Sequence, residues 1–305
     1  MTDVRSPSAV AGRVLAGSFA NPAGARDYRL HCPAGRDGAA HPLILMLHGC
    51  LQDPEDFAAG TRMAEIAGAA GAYVLYPGQG REVQPSGCWR WFEEGHQGRD
   101  AGEPWLLAEL TRAIIAEQPI DPARVYVAGL SAGGAMASIL AAAYPDLYAA
   151  AGVHSAPLYF AVREAVPPFD RLGPGGPPPT GVGTVAPIIV FHGDCDRVVH
   201  PIHGARIVAW VCAAHGGCGF GALAGQDGGL LVEPGRVPGG RAYTRTRYLD
   251  RDGRPAAEHW SIHGAGHAWS GGSPSGSYTE PLGPDASAEM LRFFAQFRGR
   301  SRRAA

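Results

Sequence analysis

The sequence predicts an α/β fold: a mainly parallel sheet with helices on both faces and no folded lid domain. Short apolar runs alternate with helical stretches, the run at 42–47 is continuously apolar, and Gly129-Leu130-Ser131-Ala132-Gly133 separates a strand from a helix. Runs at 13–19 and 27–32 read as an opening antiparallel pair, and 42–47 as a fully buried strand. A helix over 54–70 leads to a strand at 72–76, and one over 103–118 leads to the strand at 125–128. An alanine-rich helix then runs to Tyr144-Pro145. Strands follow at 147–153 and 187–191, then a helix over 203–215 and a strand at 242–249. A turn at Asp252-Gly253 returns the chain through a strand at 258–262, and an amphipathic helix over 286–297 closes it. The Pro- and Gly-rich stretch 167–187 reads as a mobile surface loop, and 216–240 as a second loop. With no internal repeat, one domain is expected over 11–298, with flexible ends at 1–10 and 299–305.

Composition narrows the chemistry. The 305 residues carry a formal charge of −2 and no basic block except the tail at 298–303, so nucleic acid is not an expected partner. All 26 basic residues are arginine, which excludes a Walker lysine, a Schiff-base lysine and a Ser/Lys dyad. No apolar run approaches the ~20 residues of a membrane helix, and the first 13 residues lack the pattern of a secretory signal. A soluble chain with no membrane partner is expected, its compartment open. The six cysteines, Cys32, Cys50, Cys88, Cys195, Cys212 and Cys218, are more than a cytosolic enzyme needs and far fewer than a disulfide scaffold carries.

A G-x-S-x-G pentapeptide between strand and helix is a nucleophile elbow. It lifts the Ser131 hydroxyl clear of the sheet above a helix N-terminus that favours developing negative charge. Such a serine needs a base and a carboxylate to orient it, in chain order Ser, Asp, His. The run His192-Gly193-Asp194-Cys195-Asp196 supplies two carboxylates at a strand end; Asp196 is preferred because Asp194 sits in the tight turn after Gly193. Between His263, which keeps strand periodicity, and His267, which follows flexible glycines, His267 is the expected base and His263 a structural residue. Ala132 N–H and a second N–H from the loop after the strand at 42–47, most naturally that of Cys50, would form the oxyanion hole. His48 reads as a loop anchor.

Several ordered motifs together resemble the polyhydroxybutyrate depolymerase-family esterases, relatives of feruloyl and acetylxylan esterases. They are Leu47-His48-Gly49-Cys50, the run from Pro54 through Phe57, Gly60 and Arg62 to Met63, Cys88-Trp89-Arg90-Trp91-Phe92, the pentapeptide with Gly134, the segment from His192 to Asp196, and Gly264-Ala265-Gly266-His267-Ala268-Trp269. The resemblance spans 13–297. It implies the α/β-hydrolase fold, the triad Ser131, Asp196 and His267, Cys50 and Ala132 as oxyanion donors, and a bridge between Cys50 and Cys88; no cofactor or metal is expected. The expected partner is a small or oligomeric ester: short-chain esters and hydroxybutyrate oligomers, or, alternatively, feruloyl or acetylated-sugar esters. Two positions depart from the family pattern: Leu51 stands where a hydroxyl residue is common, and Arg90 where Asn is usual.

Trp89, Trp91 and Trp269, each alone a natural core residue, cluster on loops beside the nucleophile and become candidates for an apolar substrate wall. Gln52 and Arg90 join them, Arg90 as a cation for an oligomer carboxylate or a feruloyl ring. Trp105, Trp210 and Trp260 are assigned to the core. The rival reading is a metal site, either from His192, Asp194, Asp196, His200 and His203, or from Cys212, His215 and Cys218; Cys212 and Cys218 could instead form a local disulfide. A non-catalytic binding module is a third reading. No linker or adsorbing domain follows the closing helix, so weak binding to solid polymer and a preference for soluble short-chain esters are expected.

Overall fold

The computed structural model describes residues 12–35, 38–161, 183–218 and 230–299. The opening pair forms as expected: β1 (Val14–Asn21) and β2 (Gly24–His31) are antiparallel, with Val14 opposite His31. After it, β3 (His41–Leu47) and β4 (Tyr73–Pro77) begin the parallel part of the sheet. β5 (Ile120–Leu130), β6 (Ala150–His154), β7 (Ile188–Gly193) and β10 (Pro255–Ile262) continue it in parallel. β8 (Leu230–Arg236) and β9 (Ala242–Leu249) finish it antiparallel, giving ten strands in the order β1-β2-β4-β3-β5-β6-β7-β10-β9-β8.

Because successive side chains point to opposite faces, β3 feeds two cores at once. Leu43, Leu45 and Leu47 pack with α3 (Gly102–Glu117), α4 (Ala132–Ala143) and α5 (Ile202–Ala214). Ile44 and Met46 pack with α1 (Pro54–Thr61), α2 (Met63–Ala69) and α6 (Ala286–Phe294). A central parallel strand buried on both faces must be apolar at every position, which is the sequence signal read at 42–47. Asp53 caps α1 by accepting from Asp56 N, and Asp285 caps α6 by accepting from Ala288 N. The α6 face is fixed by Phe294 stacking on Tyr126, ring centroids 4.8 Å apart.

Three expectations change. The helix expected over 54–70 breaks at Arg62, whose φ is 54°. The chain captures the carbonyls on which the helix would continue: Ser273 N donates to Gly60 O and the Ser287 hydroxyl to Thr61 O. The loop expected at 216–240 contains β8, whose Pro234 and Gly235 read as turn residues. An edge strand tolerates that proline, and Glu233 pairs across to Arg247 at 2.8 Å. Trp105 is half-buried, whereas Trp210 and Trp260 are core. The expected loop at 167–187 lies outside the described residues over 167–182. Likewise the flexible ends lie outside them, except Gly299, whose N–H donates to Ala123 O. No helix among the described residues is long and apolar enough to cross a membrane.

Burial pushes the His48, His154 and His259 imidazoles below the ordinary histidine range, His259 to about 4. The unfolded chain binds these protons near pH ~6.5 and the folded one only at lower pH, so stability falls as pH drops through that window. The thermal midpoint is expected to be lower at about pH 5 than at about pH 7, and His259→Leu to shrink that difference. An undiminished difference in the variant would count against a buried neutral His259.

Candidate active site

β5 ends in Gly129 and Leu130, and the chain then turns sharply: Ser131 has φ 55° and ψ −119°, a strained backbone for a residue with a side chain. Ser131 N donates to His154 O at 2.9 Å, and its carbonyl accepts from Ala135 N at 2.9 Å as α4 begins. Glycine is required beside it. A Cβ on Gly133 would sit 2.0 Å from Leu47 O, and one on Gly129 would sit 2.7 Å from the same oxygen.

The loop after β3 lies against this turn. His48 is buried; its Nδ1 bonds Gly49 O at 2.8 Å and its Nε2 accepts from Gln79 N at 3.0 Å, so it anchors the loop. The N–H groups flanking Cys50 are committed, Gly49 N to Gln52 Oε1 at 2.9 Å and Leu51 N to Ser86 O at 2.8 Å. Among the described residues the Cys50 N–H has no acceptor, and the Ala132 N–H, at the first position of α4, has none within the helix. A disulfide joins Cys50 to Cys88, with Cα atoms 4.3 Å apart.

Behind the loop lies a buried network that no sequence pattern announced. Glu103 accepts from Arg26 Nη2 at 2.8 Å, Gln79 Nε2 at 2.6 Å and Arg90 N at 2.7 Å, and Gln79 Nε2 also donates to Cys88 O at 3.0 Å. These partners lie up to 77 residues apart in the chain. The only local trace is a lone glutamate at the start of an apolar helix.

On the other side, β7 delivers Asp196 and β10 delivers His267. Asp196 Oδ2 accepts from His267 Nδ1 at 2.7 Å, while its Oδ1 accepts from Val198 N at 2.8 Å and Val199 N at 2.9 Å. Burial alone would raise the Asp196 pKa, but hydrogen bonds from His192 and His267, the His267 charge and the Val199 N–H together hold it well below the usual carboxylate range. Asp194 faces elsewhere: it accepts from His263 Nδ1 at 2.9 Å and Gly264 N at 2.7 Å, and His263 also bonds Thr244. The acid and histidine loops are in backbone contact, Cys195 N donating to Ala265 O at 3.0 Å.

Ser131 and His267 open on one cavity of about 260 Å³, which Cys50, Ala132 and Gln52 also line. Its apolar walls are Leu51, Trp91, Leu130, Pro157, Val198 and Tyr278, and among the described residues no carboxylate or guanidinium lines it. Pro157, Val198 and Tyr278 carried no sequence signal.

The expected tryptophan wall therefore reduces to Trp91. Trp89 is fully buried with its Nε1 donating to His48 O at 3.0 Å, and Trp269 is buried with its Nε1 donating to the Ser287 hydroxyl at 3.1 Å; each indole is drawn into the core by a partner for its N–H. Arg90 does not line the cavity either, because Glu93 takes its guanidinium in a two-point contact at 2.8 and 2.6 Å. Gln52 lines the cavity but its amide is occupied, donating to Asp56 and Ser277.

Among the described residues no group of three or more His, Cys, Asp or Glu is placed to hold a metal ion. His192 turns to Asp196 and Val199, His200 accepts from Ile202 N, His203 accepts from Leu158 N and His215 bonds Val185 O. Cys212 and Cys218 are buried free thiols.

Sheet order, elbow and strand-end loops define the α/β-hydrolase fold. Acetyl xylan esterase from Aspergillus awamori superposes with a TM-score of 0.71 over 93% of this chain and 100% of its own, at 16% identity. Residues 26–212 match the family Esterase PHB depolymerase, and the chain belongs to that family. It is 30% identical to the poly(3-hydroxyalkanoate) depolymerase C of Paucimonas lemoignei over 78% of this chain and 57% of that protein. It is 28% identical to the poly(3-hydroxybutyrate) depolymerase of Ralstonia pickettii over 76% and 48%. The chain spans about half the length of these two relatives.

The disulfide yields a direct test. Alkylation of the denatured, unreduced protein should label Cys32, Cys195, Cys212 and Cys218 and spare Cys50 and Cys88. Cys88→Ala should lower the unfolding free energy by ~2–4 kcal/mol; a variant as stable as the parent would show that the link carries no load.

Proposed function

We propose that the protein is a serine carboxylic-ester hydrolase working by two-step acyl transfer, with Ser131 as nucleophile, His267 as base and Asp196 as its orienting acid. The observation that carries this reading is the joint opening of Ser131 and His267 on one apolar cavity while His267 Nδ1 is held by Asp196. With Nδ1 donating to the carboxylate, the free nitrogen of neutral His267 is Nε2, the atom that takes the Ser131 proton as the hydroxyl attacks an ester carbonyl. The Cys50 and Ala132 N–H groups then receive the oxyanion, and the α4 N-terminus adds its dipole. The imidazolium returns its proton to the leaving alcohol, and water, activated the same way, releases the acid.

What supports a short substrate is the cavity itself. It is small and, among the described residues, mostly apolar. A long acyl chain would leave most of its methylenes in water, losing ~0.8 kcal/mol for each one not buried. Short-chain esters and hydroxybutyrate oligomers fit this description. An acetylated or feruloylated sugar is the second reading, favoured by Gln84 and Ser86 on the cavity wall. The Gln84 side-chain Oε1 already accepts from Ser86 N and Cys88 N, at 2.7 and 3.1 Å, which weakens that reading.

A fluorophosphonate should label Ser131, and Ser131→Ala should lower kcat by at least ~10⁴-fold with the fold intact. Asp196→Asn should be nearly as damaging and Asp194→Asn mild; the reverse order would exchange the roles of the two acids.

p-Nitrophenyl acetate and butyrate should be hydrolysed faster than the dodecanoate and palmitate. A screen of hydroxybutyrate dimer, methyl ferulate and acetylated xylo-oligosaccharide then separates the substrate classes. Arg90→Asn should leave their kcat/KM ratios unchanged; a shift would return the guanidinium to the site.

A further inference from the structure

We propose that His192 is a positioning residue of the reaction, holding the Asp196 carboxylate in line with His267; the proposal rests on the triad reading above. His192, near the end of β7, is buried. Its Nε2 lies 3.0 Å from Val199 O and 3.4 Å from Asp196 Oδ2. Both neighbours are acceptors, so Nε2 carries the hydrogen. One N–H therefore straddles the carbonyl that ends the acid loop and the oxygen that receives His267 Nδ1. With the two backbone N–H groups on Oδ1, each carboxylate oxygen faces two donors, and the group can neither rotate nor tilt without losing one.

The other edge of the ring shows that packing alone does not call for an imidazole here. His192 Nδ1 is buried with no hydrogen-bond partner among the described residues, and so is His259 Nε2. Both face Gly204 of α5, where a Cβ would lie 3.4 Å from the first atom and 2.7 Å from the second. Such unpaired polar edges cost stability that an apolar ring of similar shape would not. What the imidazole supplies and an apolar ring cannot is the Nε2 hydrogen that Val199 O and Asp196 Oδ2 share.

The test compares His192→Phe, His192→Asn and His192→Gln, with active sites counted by fluorophosphonate so that folded fraction and turnover are separated. The Gln amide N–H reaches the place of Nε2, whereas the shorter Asn amide does not. His192→Phe and His192→Asn should lower kcat per labelled site roughly 10- to 100-fold with little change in KM, the size expected of a misplaced catalytic group. His192→Gln should recover most of the loss. Full kcat in His192→Phe, or equal losses in Gln and Asn variants, would overturn the proposal. Nitrogen-15 shifts of the wild-type protein give a readout that needs no variant: His192 should be the Nε2–H tautomer, and the Nδ1–H tautomer would overturn it. Wild-type kcat in Asp196→Asn would instead sink the triad reading on which this one stands.

Discussion

The approach of α4 to the end of β3 is the contact on which the rest of the site depends. With a Cβ on Gly133 only 2.0 Å from Leu47 O, any side chain there would push the helix off the sheet. The Ser131 turn could not then keep its positive φ, because such a backbone persists only where its surroundings over-determine it. The same contact brings the loop after β3 beside the elbow, so that the Cys50 and Ala132 N–H groups border one cavity. One missing methyl group thus joins the Ser131 turn to the loop that carries Cys50, two segments that follow different strands of the sheet.

The loop after β3 carries its own supports, and they differ in kind. Its covalent support is the disulfide, which constrains the unfolded chain and ties the loop to the segment carrying Trp89 and Trp91. The polar one is the Glu103 network. A buried ion pair such as Arg26–Glu103 is weak evidence for stability, since desolvation offsets much of the attraction. Its value here is geometric: Glu103 spends its remaining lone pairs on Gln79 and Arg90 N, and Gln79 N meets His48. Rigidity at the loop follows from acceptors that are already filled.

The sheet was legible because parallel strands buried on both faces leave continuous apolar runs, and the elbow because glycine is the only residue that fits Gly129 and Gly133. Elements failed to show where tertiary contacts overrule local pattern. The break at Arg62 depends on carbonyls captured by residues more than 200 positions away, and β8 forms across a proline because β9 offers it an edge. The candidate site residues follow the same division. Ser131, Asp196 and His267 sit in spaced motifs at strand ends, but Trp89, Trp269 and Arg90 were placed by proximity in sequence to those motifs. Proximity says nothing about which way a side chain turns: the two indoles found buried acceptors, and Arg90 found Glu93 three residues on.

Two aspartate–histidine pairs lie side by side on the same two loops, and their surroundings differ. Asp194 and His263 are 40% and 44% exposed, so water screens their attraction, and both nitrogens of His263 are occupied, by Asp194 and by Thr244. That imidazole has no nitrogen left for a serine. Asp196 is shielded from water and His267 is only 10% exposed, its Nδ1 held and its ring at the cavity. The exposed pair clamps Gly264 and so fixes where the histidine loop begins its turn. The two pairs therefore differ in their rings: His263 has spent its second nitrogen on Thr244, whereas His267 lines the cavity on which Ser131 opens.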